Sequence, residues 1–510
     1  MKYLNFSFSE LSYNINYINI SPYLFDFYFM LPEIFFFIVF MVLIFFGSFY
    51  SNYNIFKYIK ISKPIIILSI ISLFLFIFLN LNSIDYNNII SIYFFVNNEL
   101  TIFFKVFLSI LSILLFFMFF NYILLFDIFV FEFFILFMFS IFGMFLVVTS
   151  YDFIVTYLTI EMQSLCFYIL AAFNKKYNKS VEAGIKYYIL GSFSSCILLL
   201  GISIIYGLTG LTNFKDLSVL LDLGLNSSIL DYFFILGLIL INIGFFFKLA
   251  VAPFHFWLPD VFDGSVRLVV SIFSILPKIS ILFLVFKVYN VILIKILIDW
   301  QFFFIIFILL SWIVGIIGGL NANRLHKLIA YSAINHIGFL LFIILLNNIE
   351  CLIIYLIIYT FILLNVFGII FSLITQSNNK DLNLINQLIY LKKSNFMLTF
   401  SFIICFFSLA GIPPLSGFFG KFFIFLYALN LNLYFLVSIG LVLSIVSCFY
   451  YLRIIKIITF NNTNNWIFLY SLNKNISYII SFGLFFNIFF IFLLPFIFEL
   501  SKFLFLSSFF

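Results

Sequence analysis

Residues 245–264 read FFFKLAVAPFHFWLPDVFDG. So apolar a run calls for a helix, yet it holds Lys248, then Pro253, which removes a backbone donor and breaks a helix interior, then His255. The run begins near 231 and ends near 265, about 35 residues, where roughly 20 suffice to cross a bilayer core about 30 Å thick. A second long run, 396–429, is interrupted in the same way by AGIPPLSG at 410–417. Broken helices at membrane depth are tolerated only where the freed backbone lines protein or water.

The rest of the chain fits such a setting. With 65% hydrophobic and 9% charged residues among 510, the composition is that of an integral membrane protein. About fourteen apolar spans are expected, at 28–50, 64–82, 101–125, 131–149, 152–172, 181–208, 231–265, 266–293, 302–321, 326–347, 351–375, 396–429, 431–456 and 477–500. They are continuously apolar, which argues for helices over the alternating strands of a barrel, so the fold class is all-α. The longest polar interval, near 376–395, is too short for a core of its own, and 1–510 reads as a single polytopic membrane domain. Residues 1–20 lack the features of a removable signal or transit peptide. The five cysteines, without a CxxC pair, read as small buried apolar residues and support neither a metal site nor a disulfide framework.

The two interrupted spans are the seventh and twelfth, an odd offset, so they cross in opposite directions. Paired interruptions at corresponding positions of two halves point to inverted repeats with sites near the midplane. Spans 4–8 (131–293) and 9–13 (302–456) are the expected five-helix repeats, preceded by three leading helices within 1–125 and followed by a C-terminal helix in 477–510. Loop lysines and arginines, among them Lys175, Lys179, Arg324, Lys327, Lys392, Arg453 and Lys474, gather on one side of this arrangement. The positive-inside rule makes that side cytoplasmic or matrix and puts both termini on the opposite face. The net charge of +6 reflects this topology and lipid headgroups; no basic patch interleaved with aromatics argues for nucleic acid.

Charges inside the spans carry the chemistry. A charge at the centre of a membrane helix costs at least about 2.5–3.5 kcal/mol, so each needs a partner, water or a function. Glu161 and Lys278 fall near the middle of the fifth and eighth spans, and Lys248 and Lys421 stand beside the two breaks. Lysine suits a proton path because burial readily lowers the affinity of its compact ammonium for the proton, and an approaching carboxylate raises it again. A carboxylate such as Glu161 close to Lys248 makes an electrostatic switch. Lesser candidates keep two readings: Lys186 is an ordinary i, i+4 partner of Glu182 or a secondary charge on the route, and His255 and His336 are polar caps or proton relays. Lys105 and Lys287 are expected to snorkel to headgroups, His326 to lie in a loop, and the many Phe and Tyr side chains to face lipid or pack.

The segment KLAVAPFHFWLPDVFDG (248–264) resembles the antiporter-like membrane subunits of NADH:ubiquinone oxidoreductase, respiratory complex I, and is closer to their chain 2 group than to the chain 4 or 5 relatives. IEMQSLCFYILAAF (160–173), SVEAGIKYYILGSFSS (180–195), NRLHKLIAYSAINHIGFLL (323–341) and LAGIPPLSGFFGKFF (409–423) extend the resemblance over roughly 130–456. It implies that Glu161 and Lys248 load and gate a proton, that Lys278 passes it along, that Lys421 lies toward the exit, and that Lys186 is a sixth-helix lysine near the glutamate. It also implies a mitochondrial inner-membrane subunit flanked by other complex I membrane subunits, including a neighbouring antiporter-like chain, with phospholipids between them. NADH, FMN, iron–sulfur clusters and ubiquinone then belong to partner subunits, and this chain holds no cofactor. Where the family commonly reads Gly-Ala-Pro, this chain has GSVRLVV (264–270), with Arg267 and no proline at the start of the eighth helix, which adds a charge near the path. A cation/proton antiporter of the same fold and a non-pumping structural subunit are the alternatives.

Overall fold

A computed structural model describes residues 30–51, 55–82, 94–126, 131–175, 177–223, 228–293, 297–375, 383–461, 469 and 473–507. Among them every extended element is an isolated bridge, and the architecture is helical throughout. Three leading helices, α1 (Leu31–Ser51), α2 (Ile55–Asn82) and α3 (Glu99–Phe126), pack against α4 (Phe131–Thr149). Then follow α5 (Phe153–Ala171), α6 (Asn178–Thr209), the short α7 (Phe214–Leu223), α8 (Ser228–Leu249), α9 (Trp257–Gly264) and α10 (Arg267–Val291). The second half contains α11 (Leu297–Asn321), α12 (Leu325–Leu345), α13 (Ile349–Ser372), a 3₁₀ turn at Ile385–Tyr390, α14 (Leu391–Ser394), α15 (Phe396–Ala410), α16 (Ser416–Asn430) and α17 (Tyr434–Phe460). It closes with α18 (Lys474–Ile488) and α19 (Phe490–Ser507). α10, α12 and α13 are the most enclosed spans, buried along almost their whole length, and form the centre of the bundle.

Twelve described helices are long and apolar enough to cross a membrane, thirteen if the bent pair α18–α19 is one span. Two differences separate this from the expected fourteen. The span expected at 396–429 is two helices of 15 residues, neither long enough to cross alone. The span expected at 477–500 turns through 84° at Phe489, so α19 lies across the bundle, with Phe498 against Phe423 of α16 at 4.8 Å. The interval 211–227, expected as loop, contains α7, and 385–394 of the expected 376–395 loop is helical. Residues 376–382 and the N-terminal 1–29 lie outside the described residues.

Both breaks have one physical origin. α8 ends with Ala250 in the left-handed region (φ 62°), Val251 N–H donating to Phe246 O at 2.9 Å and Ala250 N–H to Phe247 O at 3.0 Å. α15 ends with Gly411 at φ 85°, Ile412 N–H donating to Phe407 O at 3.2 Å and Gly411 N–H to Ser408 O at 3.1 Å. This crossed pair of bonds satisfies the last carbonyls, and the prolines that follow, 253 in one case and 413–414 in the other, prevent the helix from resuming at once. Glycine takes the left-handed conformation freely; Ala250 does so against its Cβ.

Arg267 has a structural role that the sequence did not disclose. At the first residue of α10 it is buried, donating from Nη1 to Ile370 O at 2.7 Å and Leu373 O at 3.3 Å and from Nη2 to Asn383 Oδ1 at 3.0 Å. A cation on the C-terminal carbonyls of α13 complements the negative end of that helix and ties the two halves of the bundle together. His326, expected in a loop, is buried in the first turn of α12 beside this arginine. Arg267→Met is expected to destabilise the fold by about 2 kcal/mol, since it leaves buried carbonyls without their charged donor. A lowered midpoint in thermal denaturation of the detergent-solubilised protein checks this.

Candidate functional site

Glu161 and Lys248 meet across the first break. Lys248 lies in the last turn of α8, where a cation is favoured, with its Nζ 3.6 Å from Glu161 Oε1 and donating to Tyr168 OH at 3.1 Å. The lysine side chain is 3% exposed and the glutamate 22%, so the lysine is enclosed within the bundle while the glutamate reaches toward its surface. Glu161 and Tyr168 are two turns apart on α5, which places both on the face toward the lysine. Trp257, opening α9 beyond the break, donates its indole N–H to Phe247 O at 2.9 Å and stacks on Tyr187 at 4.5 Å.

Between Lys248 and Lys278 lies an internal cavity of about 20 Å³, lined also by Gln163, Ser164, Tyr187 and Pro277. That is room for one water molecule. Lys278 is buried, and its Nζ has no hydrogen-bond partner among the described residues. Pro277 beside it removes one helical N–H, leaving a carbonyl one turn earlier, at Phe273 on the cavity wall, without its usual donor. On its other side Lys278 Nζ stands 5.8 Å from the centre of the Tyr359 ring, a cation–π approach.

Tyr359 leads to His336, with ring centroids 5.0 Å apart. His336 lies between two charges, Lys278 and Lys421. Its Nδ1 is 2.7 Å from Tyr355 OH and its Nε2 3.2 Å from Tyr451 OH, so either tautomer has a donor on one side and an acceptor on the other. Lys421, in α16 just past the second break, is buried and donates to Ala410 O at 2.9 Å and Leu409 O at 3.3 Å, the carbonyls ending α15. A Cβ on Gly411 would come within 3.1 Å of Lys421 Nζ, so the turn glycine also leaves the ammonium its space.

The structure thus brings together Glu161 with Lys248, Lys248 with Lys278 through the cavity, and Lys278 with Lys421 through His336. It does not bring Lys186 to Glu161. Lys186 Nζ pairs with Glu182 at 2.8 Å and Asp260 at 3.0 Å on a half-exposed surface. His255 lines an open cleft of about 620 Å³ with Arg324, Lys327 and Tyr331, apart from the four-residue line. Arg324 pairs with Asp263 nearby. Tyr168, Tyr355, Tyr359 and Tyr451, expected among packing and lipid-facing aromatics, stand instead beside the ionisable groups. Composition gave no means of separating them from the other tyrosines in a chain holding 30. Lys105 and Lys287, expected at the headgroups, are drawn inward: Lys105 is fully buried against Glu33, and Lys287 donates to the carbonyls of Val148 and Ser150. Of the cysteines, 166, 351 and 405 are buried as expected, while Cys196 is exposed.

Residues 150–447 match the family described as NADH:quinone oxidoreductase/Mrp antiporter, TM. The chain is 36% identical over 437 residues to NADH-ubiquinone oxidoreductase chain 2 of Marchantia polymorpha, covering 82% of this chain and 86% of the relative. It is 35% identical to NADH-quinone oxidoreductase subunit N of Pelagibacter ubique, over 81% of this chain and 85% of that one. Its fold is similar to a chain of respiratory complex I from Thermus thermophilus with bound aureothin, with a TM-score of 0.70 and 22% identity over 89% of this chain and 97% of that one. A matched region spanning more than half of the chain, and relatives aligned over most of their length, establish that this protein belongs to the NADH:quinone oxidoreductase/Mrp antiporter family and, within it, to the antiporter-like membrane subunits of complex I.

Proposed function

We propose that this chain carries protons sideways through the membrane midplane along Glu161, Lys248, Lys278, His336 and Lys421, driven by NADH-to-quinone electron transfer in partner subunits. The observation that carries the reading is this run of ionisable groups, set beside a one-water cavity on one side of Lys278 and tyrosine side chains on the other, inside an otherwise apolar bundle. Spending five polar groups on a core that hydrocarbon would fill as well makes sense where protons must pass. Spans 4–8 and 9–13 are the two inverted repeats, each contributing one interrupted helix with its lysine. The chain sits in the mitochondrial inner membrane with both termini on the intermembrane-space side, beside another antiporter-like subunit and with phospholipids between them. The redox groups belong to its partners.

Glu161→Gln tests the gate. At about 4 Å and an effective dielectric of about 20 the attraction between the two charges is about 4 kcal/mol. A step that depends on about half of this, about 2 kcal/mol, slows about 30-fold when it is lost. The expected result is a fall of that order in proton passage through this chain, measured as protons moved per electron pair by the intact complex in liposomes. An unchanged ratio favours a structural subunit, and sodium-dependent exchange without NADH linkage favours a cation antiporter.

A further inference from the structure

We propose that Trp257 is a positioning residue for the proton path: it holds the end of α8 so that Lys248 faces Glu161 and Tyr168, and it forms one wall of the cavity toward Lys278. The inference rests on the proposed function and extends it to a side chain to which the resemblance gives no role.

Lys248 is the last residue but one of α8, so its direction depends on how that helix end is held. Phe247, just before it, carries a carbonyl with two lone pairs to fill. Ala250 N–H takes one at 3.0 Å, and the indole N–H of Trp257 takes the other at 2.9 Å from across the break. Trp257 is the first residue of α9, so this bond ties the two half-helices together. The second break is held differently. There the ammonium of Lys421 itself takes the carbonyls ending α15, Ala410 O at 2.9 Å and Leu409 O at 3.3 Å. At the first break an uncharged donor does this work, and Lys248 Nζ makes its contacts with Tyr168 and Glu161 instead.

The ring of Trp257 completes the support. It stacks on Tyr187 of α6 at 4.5 Å, and Tyr187 meets Tyr168 of α5 edge-on at 4.8 Å. Tyr168 OH accepts from Lys248 Nζ at 3.1 Å, and all three rings are buried. The contacts close a circuit: along the backbone from Lys248 to Phe247, by hydrogen bond to Trp257, ring to ring through Tyr187 and Tyr168, and back to the ammonium. Lysine 248 is thereby held both at its main chain and at its charged end. Tryptophan fits this circuit because it joins a broad flat ring to an N–H donor. Trp257 and Tyr187 also line the one-water cavity together with Lys248 and Lys278, so displacing them changes the space between the two amines.

Trp257→Phe tests the role, since it keeps a ring on Tyr187 and removes the N–H. Phe247 O retains Ala250 N–H, and the complex is expected to assemble in near-normal amount on a native gel. Proton passage through this chain, read as protons moved per electron pair by the intact complex in sealed liposomes, is expected to slow by about 10- to 100-fold, the upper figure being what a displacement of about 1 Å can cost. The pH profile of that ratio is expected to move the same way as in Glu161→Gln, because both variants loosen one ion pair. A merely structural defect lowers the ratio alike at every pH. Tyr187→Leu serves where Trp257→Phe does not assemble, as it takes away the ring under the indole; the same fall and the same change of profile are expected. A normal ratio in the assembled variant, or a lowered one with an unmoved profile, overturns the role of Trp257 and leaves the proposed route standing so long as Lys278→Met lowers the ratio. A normal ratio in Lys278→Met overturns the route, and this inference with it.

Discussion

Lys278→Met is expected to reduce proton passage along the proposed route by at least about 100-fold, the lower range of what a positioned proton-transfer group contributes. Methionine keeps the stem volume, so packing in α10 is retained while the amine is removed. Among the described residues Lys278 Nζ has no hydrogen-bond partner, and it stands between the cavity on one side and the Tyr359 ring on the other. Lys278→Arg separates two explanations. Arginine supplies the charge but does not release its proton under any physiological condition, so it is expected to be as defective as methionine if the residue hands protons on. Recovery of the proton-to-electron ratio in the arginine variant would mean that a fixed positive charge suffices.

Gly417→Ala is expected to prevent the second broken helix from forming. A Cβ at Gly417 would fall 1.7 Å from the carbonyl oxygen of Ser408, on the other side of the break, and backbone on both sides leaves nothing flexible to yield. Overpacking of this kind costs more than about 3 kcal/mol. It would part α15 from α16 and pull Lys421 from the carbonyls of Leu409 and Ala410. Gly207→Ala is the matched control, since nothing lies within 4 Å of a Cβ there. The amount of assembled complex resolved on a native gel distinguishes them: near normal for residue 207, strongly reduced for residue 417. Equal amounts would show that the two halves do not need this close approach.

How much of this was legible in the sequence follows from which physical signals are local. Hydropathy located the spans because each must be apolar over its own length, whatever it packs against. The breaks at 250–256 and 411–415 were legible for a related reason: prolines and a turn glycine write themselves into the chain. Depth along a span singled out Glu161 and Lys278 as candidates, and a place beside a break singled out Lys248 and Lys421. Partnership was another matter. Lys105 looked like a headgroup lysine because its partner, Glu33, lies on a different helix, and Arg267 looked like a charge near the path because its acceptors are carbonyls more than 100 residues away. Tyrosines 168, 355, 359 and 451 differ from the rest of their kind only in their surroundings. The bend at Phe489 left no mark either: the residue is neither glycine nor proline.

The cavity between Lys248 and Lys278 bears on insulation. A respiratory membrane stores energy as voltage, worth about 2.3 kcal/mol per charge for each 100 mV, and any continuous aqueous thread would short-circuit it. A slot sized for one molecule cannot sustain such a thread. On the proposed route, a water held there would have to reorient after handing a hydrogen forward before it could accept another, so protons would pass one at a time.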